Sequence, residues 1–378
     1  MKLERQPMKL SNSGINTYTT CRHSYNLKYV QGISSEYKGS ALFFGSAIDE
    51  ALNFMLLNKD NENVLEDSIK VFNTHWETNV DRKGNKTEMP YNRYILYSKW
   101  DYDPDLLEKS DWAKLFKINS DPFKLRKETE VLLQTKEFQD LPEENQVFNN
   151  LCAWLCLRSK GAILLKAYYE QLLPQIAEVI DVQKTFTLED EEKNVLNGVV
   201  DFVCKLQDGT VVVADNKTSS FEYEHDSVKT STQLSLYVKV LNLHNEDPKH
   251  EWKAGHIESA AYFVMSKKLK KDITKTCQSC GHIGEGSHKT CDAIVEGKRC
   301  GGEWTKVKKF DVDTQLVVDI IPETVQDMVI ENADYVKQMI KEEKFPKNFS
   351  SCNGKYGKCE FFNLCWFGND KNLKRDKI

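Results

Sequence analysis

Long apolar runs are scarce in this 378-residue chain. None reaches the roughly 18 consecutive apolar residues that a membrane-spanning helix needs. Residues 1–10 are polar and charged rather than a hydrophobic leader. The expectation is a cytoplasmic protein with no membrane partner. Positive charge is not in excess either: Lys and Arg number 52 against 57 Asp and Glu, a formal net charge of −5. That excludes a protein that coats polyanions through bulk charge. Any nucleic-acid contact must come from a local basic groove, or from metal ions bridging to phosphates. A Gly-x4-Gly-Lys-Ser/Thr loop is missing, which excludes an ATP-driven motor within this chain. No fixed-period repeat is present, which excludes a solenoid.

Cysteine, by contrast, is plentiful, with eleven residues. Without a leader to an oxidising compartment, thiol clusters read as metal sites, and an odd total leaves one cysteine outside any complete disulfide scheme. Cys152 and Cys156 sit in an apolar helical stretch, and Cys204 in an apolar strand; these read as core.

The chemistry-bearing stretch begins at Gly198. Gly198 to Val203 is apolar except for Asp201; Lys205-Leu206-Gln207-Asp208-Gly209 reads as a turn; Val211 to Lys217 is apolar up to Asp215-Asn216-Lys217. Asp-Gly between two β-branched runs is a hairpin signal. Strand alternation points Asp215 and Lys217 the same way and Asn216 the opposite way. A carboxylate in a Val-rich strand is costly to bury unless it is paired or binds a cation. Two of them beside a lysine suit a hard divalent ion that acidifies water and clamps a phosphoryl oxygen. A surface hairpin with ordinary salt bridges is the alternative, since Asp-x-Lys is a common triplet. Beyond a polar loop, Gln233 and Tyr237 lie four apart on one face of an expected helix, beside the stripe of Leu234, Val238 and Leu241.

Taken together, Gly-x-x-Asp, Asp-x-Lys and Gln-x-x-x-Tyr resemble the RecB-type branch of the PD-(D/E)XK nuclease superfamily. The resemblance implies Asp201 and Asp215 as metal ligands, Lys217 as the catalytic lysine, and Gln233 and Tyr237 as supporting residues. The backbone carbonyl of Asn216 is a further ligand candidate. The N-terminus agrees: Ser11 and Ser13, with Tyr18-Thr19-Thr20-Cys21, resemble the family's opening Ser-x-Ser and Tyr-x-x-Cys. Gly45-Ser46-Ala47-Ile48-Asp49-Glu50 resembles its Gly-x-x-x-His-Glu helix, with Asp49 standing where the family commonly has a metal-binding His.

Two thiol sets follow. Cys352, Cys359 and Cys365, with the distant Cys21, resemble the ligands of iron–sulfur-containing exonucleases such as those of CRISPR adaptation and the AddB type. The resemblance implies a [4Fe–4S] cluster, with zinc as the rival occupant. Cys352 is six residues before Cys359, a wider gap than the family's, and Arg22 replaces a common Pro after Cys21. The other set is Cys277-x-x-Cys280, Cys291 and Cys300 in a polar, Gly-rich segment that resembles a zinc ribbon. Structural Zn²⁺ would supply the folding energy that burial cannot. His282 or His288 could replace one thiolate, and the flanking lysines could meet phosphates.

The expected fold is α/β: a restriction-endonuclease-like mixed central sheet flanked by helices. Residues 1–55 form an N-terminal helical part with one cluster ligand, 56–165 a helical insertion, 166–272 the nuclease core, 273–304 the zinc-ribbon insert, and 305–378 a strand, a helix and an iron–sulfur cap. A strand over 305–312 and a long helix over 313–343 are predicted. Trp76, Tyr91, Tyr94, Tyr97, Trp100 and Tyr102 either stack on unpaired bases or pack in the core. The implied function is Mg²⁺- or Mn²⁺-dependent DNA hydrolysis, as an exonuclease on single-stranded or duplex ends. Its setting would be replication, recombination or repair in a prokaryote or phage-infected cell, with a helicase or recombination partner. The alternatives are a structure-specific endonuclease on the same core and a catalytically idle DNA-binding or scaffold protein.

Overall fold

The computed structural model describes residues 9–76, 95–98, 101–103, 106–107, 143–189, 195–246, 254–284, 289–354 and 357–375. Among them, seven strands form one mixed sheet: β1 (Lys9–Leu10), β2 (Ile176–Glu189), β3 (Val195–Leu206), β4 (Val211–Ser219), β5 (Ser259–Cys277), β6 (Ile283–Gly284) and β7 (Trp304–Ile320). The path runs β1-β3-β4-β5-β7, with β2 on the other edge of β3 and β6 beside the far end of β5. β1 runs parallel to β3 and β4 parallel to β5, while the other pairings are antiparallel.

Both faces of the sheet are covered. The longer helices are α1 (Asn12–Thr20), α2 (Ser40–Leu57), α3 (Val64–Trp76), α4 (Glu143–Ala167), α5 (Thr232–Glu246) and α6 (Glu323–Lys341). Alternation in the central strands explains the two layers. Val212, Ala214, Ala261, Phe263 and Met265 join a core with α2, α3 and α4. Val213, Ala260, Tyr262 and Val264 join another with α5 and α6. The described helices between 56 and 165 thus share one core with the sheet. By length and composition α2 could cross a membrane, a property masked in the sequence by its scattered polar residues. Its Phe44, Ala47, Ile48, Ala51, Leu52 and Met55 are buried in the helical layer.

The two ends of the chain are stitched together. Ser11 caps α1 by accepting from the Gly14 N–H. The Tyr18 hydroxyl donates to the Lys344 carbonyl at 2.8 Å, Asn348 Nδ2 donates to the Thr20 carbonyl, and Ile33–Ser35 pairs with Leu373–Arg375.

Two readings change. Residues 313–320 are strand rather than helix: Thr314 to Ile320 pair with Met265 to Ser259, and α6 begins only after Pro322. The β-branched Val317, Val318 and Ile320 suit that position beside β5. Of the aromatics, Trp76 and Tyr97 are core, buried with α2 and α4, which leaves them no face for a base. Trp76 Nε1 donates to the Trp154 carbonyl at 3.1 Å. Tyr102 packs against the same core. Tyr91, Tyr94 and Trp100 lie outside the described residues.

Gly198 has a specific reason to be glycine. It faces Phe186 across β2 and β3, and a Cβ there would lie 2.5 Å from Phe186 Cζ. The Phe186 ring in turn meets Tyr237 of α5 edge-on at 5.9 Å. Gly198→Ala should displace that ring and destabilise the fold by about 1–3 kcal/mol. Urea unfolding measures this, and an unchanged midpoint would show that the ring is not held there.

Candidate active site

The β3–β4 hairpin turns through residues 207–210. Gly209 at φ +91° takes the left-handed position, and Asp208 Oδ1 accepts from the Thr210 N–H at 2.9 Å. From this turn the two strands pair back only as far as Phe202 opposite Ala214. One step further they part. β3 continues with β2 on one edge and meets β1 only at Val195 and Leu196, while β4 continues beside β5. Asp201 and Asp215 stand across from each other at this fork.

Asp215 is only 1% exposed, on the same face as α5. Two groups compensate its burial. The Lys217 ammonium forms an ion pair with Asp215 Oδ2. Gln233 Nε2 donates to Asp215 Oδ1 at 3.0 Å and to the Tyr237 hydroxyl, also at 3.0 Å. Asp201, on the facing strand, is close enough for the two carboxyls to act on each other. Asp201 Oδ2 also accepts from the Asn216 N–H at 3.3 Å.

Crowding of negative charge sets the protonation states. Desolvation, then the charge of Asp215, push the Asp201 carboxyl up to about 8, with Lys217 opposing. Desolvation, then Asp215, push Asp49 up to about 6, again against Lys217. Desolvation works to lower the Lys217 pKa. The Asp215 charge and hydrogen bond, with Asp201, more than offset it and hold the ammonium above the ordinary lysine range. Burial first, partly countered by the Gln233 hydrogen bond, raises the Tyr237 hydroxyl to about 12. The site is thus a set of carboxyls pressed together around a fixed positive charge, an arrangement that a hard cation would relieve.

The structure gathers Asp201, Asp215, Lys217, Gln233 and Tyr237 at one place. Asp49, on α2 from the opposite layer, is water-accessible yet close enough for Asp215 and Lys217 to act on it. It does not close with the other two carboxylates to within 4.8 Å. The Asn216 side chain points to the other face, where its buried Oδ1 has no hydrogen-bond partner. Two contributors escaped the sequence reading. Tyr262 is the register partner of Asp215 on β5, and its hydroxyl meets Ser231 Oγ at 2.6 Å. Ser231 Oγ also accepts from the Leu234 N–H, so it fixes the start of α5 over the site. A tyrosine in an apolar strand and a serine in a polar loop carry no motif signal.

The thiol sets differ in geometry. The sulfurs of Cys277, Cys280, Cys291 and Cys300 all lie within 4.8 Å of one another, with 3.6 Å from Cys277 to Cys300 and 3.7 Å from Cys280 to Cys291. Backbone hydrogen bonds hold the loops, from the Cys277 N–H to the His282 carbonyl and from the Gly301 N–H to the Cys291 carbonyl. His282 packs near Trp304 and is not part of that thiol group; His288 lies outside the described residues. Cys21, Cys352, Cys359 and Cys365 instead line one small pocket that opens to solvent, and do not close to that distance as a set.

Comparison with known proteins adds one match. No curated protein matches the chain. Residues 111–366 match the PD-(D/E)XK nuclease superfamily. The span takes in the fork with Asp201, Asp215 and Lys217, the helix with Gln233 and Tyr237, and both thiol-rich segments except Cys21; Asp49 lies before it. With more than half its length matched around a forked hairpin that holds two carboxylates and a lysine, this chain belongs to the PD-(D/E)XK nuclease superfamily.

Proposed function

We propose that the protein is a metal-dependent DNA exonuclease of the RecB-like, iron–sulfur-containing type, acting on DNA ends in recombination or repair. The observation that carries this reading is the convergence of Asp201, Asp215, Lys217 and Gln233 where β3 and β4 part. Asp201 and Asp215 would hold Mg²⁺ or Mn²⁺, with Asp49 and the Asn216 carbonyl as further oxygen donors. When bound, such an ion acidifies water and offsets charge on the scissile phosphate.

The chain's own groups supply the rest. The Lys217 ammonium, held charged and aimed by Asp215, donates to the attacking water or a phosphate oxygen and stabilises the charge that builds there. Gln233 keeps the Asp215 carboxylate oriented, and Tyr237 keeps Gln233 oriented. Lys217→Gln should lower Mn²⁺-dependent cleavage of labelled DNA by about 100- to 1,000-fold while circular dichroism stays native. Cleavage at the wild-type rate would remove Lys217 from the mechanism. Covalently closed circular DNA should resist; its nicking or linearisation favours the endonuclease alternative.

Protonation gives a second test. Asp201 and Asp49 titrate above the ordinary carboxylate value, so the folded protein keeps protons that the unfolded chain sheds above about pH 4. This contribution to stability is full below pH 4 and is lost as pH rises through about 6 for Asp49 and about 8 for Asp201. Mg²⁺ competes with those protons. It should therefore raise the unfolding temperature, relative to EDTA, more at pH 8 than at pH 6. An equal rise at both values would take these carboxyls out of the metal site.

The two thiol sets are proposed to hold different metals. A Zn–S distance of about 2.3 Å in a tetrahedron sets sulfurs about 3.8 Å apart, which the sulfur separations of Cys277, Cys280, Cys291 and Cys300 suit. The wider set of Cys21, Cys352, Cys359 and Cys365 suits a larger [4Fe–4S] unit. Anaerobically purified protein should carry iron with absorption near 400 nm (an approximate expectation) together with zinc. Cys359→Ser should remove the iron alone and Cys280→Ser the zinc alone. Zinc in both sets would overturn the iron–sulfur assignment.

A further inference from the structure

The nuclease reading leaves one large element unused. β5 keeps β4 as a neighbour only to Ser266 opposite Ser219, two residues beyond the level of Lys217 and Val264. From there residues 267–277 run on, paired with 304–312 of β7 and flanked by β6 only at Lys275 and Thr276. Nine residue pairs, Leu269 with Val312 to Cys277 with Trp304, make an arm about 30 Å long. It leaves the sheet at the active-site end and finishes at the four-thiol group. In a chain of net charge −5, residues 267–277 and 304–312 hold eight lysines and two aspartates.

The root of the arm is built irregularly. The register slips between Val312 and Thr314, so that three residues of β5, 266–268, face one of β7. Such bulges re-aim side chains and favour the neighbourhood of active sites. Lys268, exposed, lies over the Phe221 ring at 5.8 Å. Phe221 is 59% exposed, and its turn is fixed by two hydrogen bonds with Ser219, at 3.0 Å from the Phe221 N–H and 2.8 Å to its carbonyl. It follows Lys217 by four residues, so the chain keeps the two within about 14 Å, the length of about four stacked nucleotides. Lys309 is also exposed, opposite Asp272, further out.

We propose that this ribbon is a binding arm for single-stranded DNA. Phe221 stacks on a base just outside the active site, Lys268 holds the adjoining phosphate, and Lys309 holds one further along the arm. The metal-bearing tip fixes the far end. Stacking on an exposed aromatic beside cations suits an unpaired strand. The inference rests on the nuclease reading for the position of the scissile phosphate.

The test uses the full chain in EDTA, where binding is read without metal-dependent cutting. The probe is a fluorescein-labelled 30-nucleotide oligo-dT, with anisotropy followed against KCl. Lys268→Glu combined with Lys309→Glu should weaken binding at least tenfold and reduce the log–log salt slope by about 1.4, two phosphate contacts on a single strand. Phe221→Ala should weaken it about 5- to 100-fold with the slope unchanged. Lys268→Arg with Lys309→Arg should bind as wild type, which separates charge from folding, and zinc content should stay constant throughout. Wild-type affinity and slope in the Glu pair would overturn the proposal, as would a defect confined to blunt duplex of the same length. Mn²⁺-dependent cutting by the wild type is read in parallel. Binding without cutting overturns the nuclease reading, whereas cutting with unaltered binding by the variants overturns the arm alone.

Discussion

A carboxylate at 1% exposure in the middle of a sheet governs this molecule. Burying Asp215 without compensation would cost several kcal/mol. Its surroundings are arranged to supply that compensation: Lys217 from its own strand and Gln233 from α5. Each comes from a different element, so the carboxylate acts as a registration point. The fork of β3 and β4, the placement of α5 and the partnership of Ser231 with Tyr262 all meet there. Phe186 completes the chain of contacts, because the space above Gly198 lets its ring brace Tyr237, which braces Gln233.

Much of this site was legible in the sequence because its signals are local. Asp208-Gly209 announces the turn, period two puts Asp215 with Lys217, and a four-residue interval puts Gln233 with Tyr237. Other parts depend on partners far along the chain and leave no local trace. Gly198 looks like an ordinary strand glycine until the Phe186 ring is placed over it. Tyr262 and Ser231 lack a motif because their role is set by the register of β5 and the start of α5. The arm of β5 and β7 also leaves little local trace. Its lysine-rich strands lack the apolar alternation of half-buried strands, because little of the arm lies against a core. Residues 313–320 were misread because Asp313 and Thr314-Gln315 interrupt the apolar pattern, while β5 beside them decides the conformation.

The two cysteine sets illustrate how spacing in sequence and spacing in space diverge. Both offer four thiols. One set is contributed within a single 24-residue stretch and closes tightly. The other combines Cys21 with residues more than 300 positions later, around a cavity also lined by Phe361, Phe362 and Trp366. Ligand identity alone does not distinguish these cases. What differs is how closely the sulfurs approach: one set closes to within 4.8 Å and the other does not.

The stitching of the chain ends has a consequence for biosynthesis. Tyr18 finds its acceptor 326 residues later, at Lys344, and the strand Ile33–Ser35 finds its neighbour only at Leu373–Arg375. At about 5–20 residues per second on a ribosome, the opening segment waits on the order of tens of seconds for its partners. Throughout that interval Ile15, Tyr18 and Tyr25, buried in the finished protein, lack their later-made neighbours in α6 and Phe345. Until residues 323–345 have been made, these side chains stay without the apolar surface that finally covers them.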